Sequence, residues 1–131
     1  PIPMRGMAEV LDKVKSLGLE IYIVTGSGQA SLLDTLNHYF PNTFCKEKMV
    51  TAYDVKKGKP DPEPYLMALE KAGLQPNEAM VVENAPLGVR SAKGAGIFTV
   101  AVNTGILSDD DLWQAGADVV LADMAALLEK L

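Results

Sequence analysis

The run Met80-Val81-Val82-Glu83-Asn84-Ala85-Pro86-Leu87-Gly88-Val89-Arg90 constrains the chain most. Four residues, Met80 to Glu83, read as a short buried strand that ends on an acid, and an amide follows. Pro86 then opens a helix, at a position where its missing N–H costs nothing. A strand that ends in a carboxylate and turns sharply into a helix puts that carboxylate at the C-terminal edge of a sheet. Open α/β folds bind ligands at that edge.

The flanking segments supply the rest of such a sheet. Met7, Val10, Leu11, Val14 and Leu17 recur at helical spacing, which predicts a helix over about residues 5–17. Gly18 is its expected C-terminal cap. Glu20 to Thr25 is β-branched and contains an aromatic, so it reads as a strand, with a turn at Gly26-Ser27-Gly28. Leu32, Leu33, Leu36, Tyr39 and Phe40 mark a helix that Pro41 stops. Met49-Val50-Thr51 is a candidate edge strand, and Val55 to Pro60 forms a basic loop.

Asp61-Pro62-Glu63-Pro64 enters a further helix with its acids in the first turn, where the helix dipole favours them. Its expected buried face is Tyr65, Leu66, Leu69 and Ala72. A helix through Ala92 and Ala95, a strand Phe98–Val102, a short helix capped by Ser108, a strand Val119–Leu121 and a helix capped by Asp123 complete the chain. Strands alternating with helices predict a parallel sheet covered on both faces.

Composition narrows the function. The net charge of −5 over 131 residues argues against a nucleic-acid partner, which favours a basic surface. The single cysteine, Cys45, leaves no internal disulfide and points to a reducing, cytoplasmic setting. No apolar run approaches the roughly 18 residues that span a bilayer, so no membrane partner is expected. No basic-then-apolar leader precedes the first helix. The chain opens Pro1-Ile2-Pro3-Met4 with no strand ahead of that helix, and reads as a segment of something longer.

Several residues at strand ends and loops can do chemistry. Thr25 ends a strand, and Gly26 and Ser27 follow at what reads as a helix entry, where N–H groups and a hydroxyl suit a phosphate. Read alone, Thr25 and Ser27 fit better as plain helix caps. Lys59 sits in Gly58-Lys59-Pro60-Asp61-Pro62, a loop stiffened by two prolines that would aim a cation at a transferring phosphoryl group. It also reads as part of a solvated basic loop with Lys56 and Lys57. Glu83 and Asn84 are oxygen donors of the kind Mg²⁺ takes with water and substrate phosphate. A carboxylate bonded to the next helix turn is the structural alternative. Asp109-Asp110-Asp111 follows Ser108 at a helix start and reads as capping. His38 and Cys45 read as structural. Gly26-Ser27-Gly28 lacks the third glycine of a dinucleotide fingerprint.

Taken together, Ile23-Val24-Thr25-Gly26-Ser27, Gly58-Lys59-Pro60-Asp61-Pro62 and Val82-Glu83-Asn84 with Gly88 resemble the haloacid dehalogenase-like hydrolase superfamily, in its branch of phosphatases and β-phosphoglucomutase-like enzymes. The resemblance runs from the helix at Met7 to the last helix. It implies a Rossmann-like three-layer α/β/α parallel sheet, the C-terminal part of that family's core domain over residues 1–131. It implies a Mg²⁺-dependent phosphatase acting on a small phosphorylated metabolite through an aspartyl-phosphate.

By position, Thr25, Gly26 and Ser27 match the phosphoryl-binding segment, Lys59 the lysine on the phosphoryl oxygens, and Glu83 and Asn84 the Mg²⁺-binding acid pair. An amide here replaces the second acid. The family's Asp-x-Asp nucleophile strand and its cap domain have no counterpart in the sequence. They are expected as a missing N-terminal segment and cap of the same protein, leaving this chain inactive alone. A sugar phosphomutase and a non-catalytic phosphate- or nucleotide-binding α/β module are the alternatives.

Overall fold

The computed structural model describes residues 5–105 and 107–131. Eleven elements follow the alternation expected from the sequence. They run α1 (Met7–Ser16), β1 (Ile23–Val24), α2 (Leu32–Tyr39), β2 (Met49–Val50), α3 (Glu63–Ala72), β3 (Met80–Glu83), α4 (Pro86–Gly94), β4 (Phe98–Val102), α5 (Asp109–Gln114), β5 (Val119–Leu121) and α6 (Met124–Lys130). All strand pairs are parallel, with Val82 opposite Val100 and Ala101 opposite Val120.

Among the described residues the strands form two sheets, β1-β2 and β3-β4-β5, and β1 is not hydrogen-bonded to β3. This division shapes the burial. Alternation along β4 sends Val100 and Val102 to one face, where they pack with Val10 of α1 and with Met124 and Leu127 of α6. Ala101 goes to the other face, with Val89 of α4 and Leu112 of α5. Val81 lies on that same second face, with Tyr65 and Leu69 of α3 and Ala92 of α4. Val24 of β1 packs against this last cluster, so α3 and α4 roof the ends of both sheets. The result is helices on both sides of parallel strands.

Four expectations are corrected. The run Glu20–Thr25 is strand only over Ile23–Val24, which pair with β2, and the Thr25 N–H adds one more bond to the Val50 carbonyl at 2.9 Å. Strand β3 is buried on one face only, with Met80 45% and Val82 39% exposed. Leu66 is exposed, since it lies about 100° round the helix from Tyr65 while Leu69 stays on the buried stripe. The fourth concerns Gly26 and Ser27: α2 starts only at Leu32, so no helix N-terminus stands behind them.

Candidate functional site

The C-terminal ends of β1 and β3 and the basic loop before α3 meet in one place. The loop is shaped from below by α3. Gly58 and Asp61 close a turn, with the Asp61 N–H donating to the Gly58 carbonyl at 3.0 Å. Between them the Lys59-Pro60 peptide is cis. The Asp61 side chain accepts the Glu63 N–H at 2.9 Å, which starts the helix. Glu63 reaches back, and one carboxylate oxygen accepts the backbone N–H groups of Lys56 at 2.6 Å and Lys57 at 3.0 Å. From α4, the fully buried Ser91 hydroxyl donates to the Asp61 carbonyl at 2.6 Å. The loop is therefore tied to two helices, and Lys59 leaves it in one direction.

That direction is across the divide between the two sheets. Lys59 Nζ donates to the Val24 carbonyl at 3.3 Å and to Glu83 Oε1 at 2.5 Å. The Lys59 side chain is 21% exposed and the Glu83 side chain 8%. A pair this far out of water interacts much more strongly than a surface pair. The same carboxylate oxygen accepts the Tyr65 hydroxyl, and the Tyr65 ring centroid lies 5.3 Å from Lys59 Nζ. Burial, and then the neighbouring Glu83 charge, push the Tyr65 phenol above its ordinary value of 10.0, so it remains a donor at neutral pH. Glu83 Oε2 accepts the Asn84 N–H at 3.3 Å. Behind the carboxylate stands Gly88, where any Cβ would overlap the Glu83 carboxyl atoms. Asn84 is exposed beside it.

On the β1 side, a cavity of about 150 Å³ is lined by Thr25, Gly26, Ala52, Val55, Lys56, Gly58, Lys59 and Pro64. Thr25 Oγ1 accepts the Ser27 N–H at 3.0 Å, and Ser27 Oγ accepts the Gln29 N–H at 3.1 Å. Ser27 is thus engaged in the local turn and is absent from the cavity lining, whereas Thr25 and Gly26 face it. Two lysines, Lys56 and Lys59, and the hydroxyl-bearing Thr25 line the cavity, and its lining holds no carboxylate, imidazole or thiol. Of the residues singled out from the sequence, Thr25, Gly26 and Lys59 come together here. Lys59 joins them to Glu83, with Asn84 adjacent. Asp109 lies apart and accepts the Asn103 side-chain amide at 2.6 Å; Asp110 and Asp111 share its helix start.

Two contributors escaped the sequence reading. From the sequence Tyr65 reads only as core, because helical spacing reports the face and says nothing about the hydroxyl at its tip. From the sequence Glu63 reads as a helix-dipole acid, whereas its carboxylate holds the loop that carries Lys59.

The fold is thus one of parallel strands covered by helices, with Thr25, Lys59 and Glu83 meeting where β1 and β3 end. The chain belongs to the haloacid dehalogenase-like hydrolases, whose family model matches residues 2–102. It is 33% identical over 123 residues to the validoxylamine A 7′-phosphate phosphatase of Streptomyces hygroscopicus subsp. limoneus, covering 94% of this chain and 56% of that protein. It is 35% identical over 113 residues to the phosphorylated carbohydrates phosphatase of Thermotoga maritima, covering 86% and 52%. Among solved structures, a Bacteroides vulgatus protein provisionally assigned as a β-phosphoglucomutase is 57% identical with a TM-score of 0.92, over 97% of this chain and 51% of that one. A hydrolase from Pseudomonas syringae is 28% identical with a TM-score of 0.85, over 98% and 61%. The chain spans about half the length of the curated relatives it matches.

Proposed function

We propose that this chain carries the phosphoryl-holding and cation-holding part of a phosphatase that acts on a small phosphorylated metabolite. The observation that carries the reading is Lys59, whose ammonium bridges the end of β1 and the carboxylate at the end of β3 while lining the cavity with Thr25 and Gly26. In this reading the Lys59 ammonium and the Thr25 hydroxyl bind the equatorial oxygens of the transferring group, with the Gly26 N–H beside them. Charge that develops on those oxygens then meets a preorganised cation. Ser27 supports the segment through its own turn.

Mg²⁺ is the cofactor of this reading. Glu83 Oε2, which carries only the long Asn84 N–H contact, and the amide oxygen of the exposed Asn84 fit a hard cation that fills its remaining positions with water and substrate phosphate. The donor set is one carboxylate and one amide, and no cluster of three acidic, histidine or cysteine ligands occurs among the described residues. When bound, such an ion offsets charge on the phosphoryl oxygens.

The nucleophile comes from elsewhere in the intact protein. An aspartate on a further parallel strand between β1 and β3 would attack phosphorus, expel the substrate oxygen and give an aspartyl-phosphate that water cleaves. Among the described residues β1 and β3 each have an edge without a strand partner, and the cavity lining holds no carboxylate; both support this placement. Residues 1–131 then form the C-terminal part of a core domain, completed by an N-terminal segment and a cap. No helix of the described residues is long and apolar enough to cross a membrane. In this reading the enzyme works in a reducing, cytoplasmic setting, in which a free Cys45 persists.

A sugar phosphomutase is the second reading, favoured by the relation to the Bacteroides vulgatus structure. The test is phosphate release from a panel of sugar phosphates. The chain alone should release none. The chain extended by a strand ending Asp-x-Asp and a cap should release it, and Lys59→Ala should then lower the rate by about 10²-fold or more. Release by the isolated chain that survives Lys59→Ala would sink the assignment.

A further inference from the structure

We propose that Tyr65 is a positioning residue for Glu83. Its phenol and the Lys59 ammonium together occupy Glu83 Oε1, and this turns Oε2, with the Asn84 amide oxygen, outward as the donor pair for a divalent cation. The inference rests on the reading of Glu83 and Asn84 as a cation site.

Tyr65 lies in the first turn of α3 and is only 6% exposed, within the cluster of Leu69, Val81 and Ala92. A phenol buried among such neighbours needs a polar partner. Its partner is the terminal acid of β3. A carboxylate has two oxygens, yet both strong donors converge on the same one. Lys59 Nζ reaches Oε1 at 2.5 Å, and the Tyr65 hydroxyl reaches it too. Oε2 receives only the N–H of the next residue, at 3.3 Å.

The remaining escape route is closed from behind. At Gly88 the first turn of α4 comes so close that a Cβ would overlap the Glu83 carboxyl carbon and both oxygens. The carboxylate is therefore held between a cation, a phenol and a backbone, and Oε2 is the oxygen left with a single weak donor, the Asn84 N–H.

Holding a ligand carboxylate by its other oxygen fixes its rotamer before the ion arrives. Loss of such outer partners in metalloproteins typically weakens the metal by about 10–100-fold. Lys59 alone does not fix the orientation, because an ammonium is a point charge that either carboxylate oxygen can meet. The phenol, its ring locked in the core, offers its hydroxyl at one place only.

Mn²⁺ is the probe, titrated into the chain while line broadening is followed at the amides of Glu83 and Asn84. The variants are Tyr65→Phe, which removes one oxygen and keeps the ring, Glu83→Gln as the loss-of-ligand reference, and Leu69→Ala. Leu69→Ala destabilises the same helix face without touching Glu83, so it reports what lost stability alone does. The expected result is binding in the wild type, about tenfold weaker in Tyr65→Phe, and unchanged in Leu69→Ala. Wild-type affinity in Tyr65→Phe overturns the role of Tyr65 while leaving the cation reading intact. Equal weakening in Leu69→Ala and Tyr65→Phe also overturns it. No binding by the wild type, or wild-type affinity in Glu83→Gln, overturns the cation reading and this inference with it.

Discussion

Gly88→Ala isolates the packing of Glu83 from everything else in the site. Gly88 is a buried residue inside α4, and at an ordinary helical position alanine is the better residue by about 1 kcal/mol. The substitution should therefore stabilise the chain if nothing stood in the way. Here the added methyl would occupy the space of the Glu83 carboxyl group. Backbone cannot yield cheaply, so the carboxylate must swing away and release both Lys59 and Tyr65.

Hydrogen bonds to a charged group are worth about 1.5–3 kcal/mol each. Losing two, with partial relaxation and the helix-propensity gain set against them, leaves a net destabilisation of about 2–4 kcal/mol. The assay is urea unfolding followed by far-UV circular dichroism on four proteins: wild type, Gly88→Ala, Glu83→Ala and the double variant. In the Glu83→Ala background the methyl has room, so Gly88→Ala should be neutral or stabilising by up to about 1 kcal/mol. A Gly88→Ala chain as stable as the wild type, or a cost that persists without the Glu83 side chain, would refute the close approach of α4 to that carboxylate.

Other consequences are checked as directly. Thr25→Val keeps the side-chain shape and removes the hydroxyl from the cavity; inorganic phosphate should bind about tenfold more weakly by calorimetry, the equivalent of one hydrogen bond. Leu112→Ala empties a fully buried position between α5, β4 and α4 and should cost about 2–5 kcal/mol in urea unfolding. The Asp118 carboxylate accepts Lys93 Nζ at 2.9 Å and the Thr99 N–H at 2.8 Å, and the Lys93 bond, then that N–H, hold its pKa below the ordinary 3.8. A carboxyl depressed in the folded state contributes stability that is present above its unfolded value and lost as pH falls through the folded one. Wild-type melting should accordingly fall more steeply than that of Asp118→Asn below about pH 4, while the variant is less stable by about 1 kcal/mol at neutral pH.

Much of this arrangement was legible in the residues themselves. Helical spacing located α1, α3 and α6, β-branched runs located β4 and β5, and Asp123 caps α6 as its position promised, accepting the Ala126 N–H at 2.8 Å. Loop chemistry also carried through: the Gly-Lys-Pro turn does hold Lys59 in one direction. What stayed hidden depended on contacts distant in sequence. The Tyr65 hydroxyl meets Glu83 eighteen residues away, and spacing within α3 cannot report it. Glu63 has the same appearance whether it serves the helix dipole or the loop. Met80 and Val82 lie on the face of β3 left open, and an apolar run cannot reveal whether one face or both are covered. The turn at Gly26 was placed correctly, but the helix expected behind it begins five residues beyond Ser27, at Leu32.

The central claim is that Lys59, Thr25 and Gly26 together hold a phosphoryl group. The most direct measurement is a titration of the ¹⁵N-labelled chain with inorganic phosphate, read at the amides of Thr25, Gly26 and Lys59, in the wild type and in Lys59→Ala. The account predicts saturable shifts at these three positions that weaken by about tenfold or more in the variant. Shifts that fall elsewhere, or that saturate at the same concentration without the lysine, would contradict it.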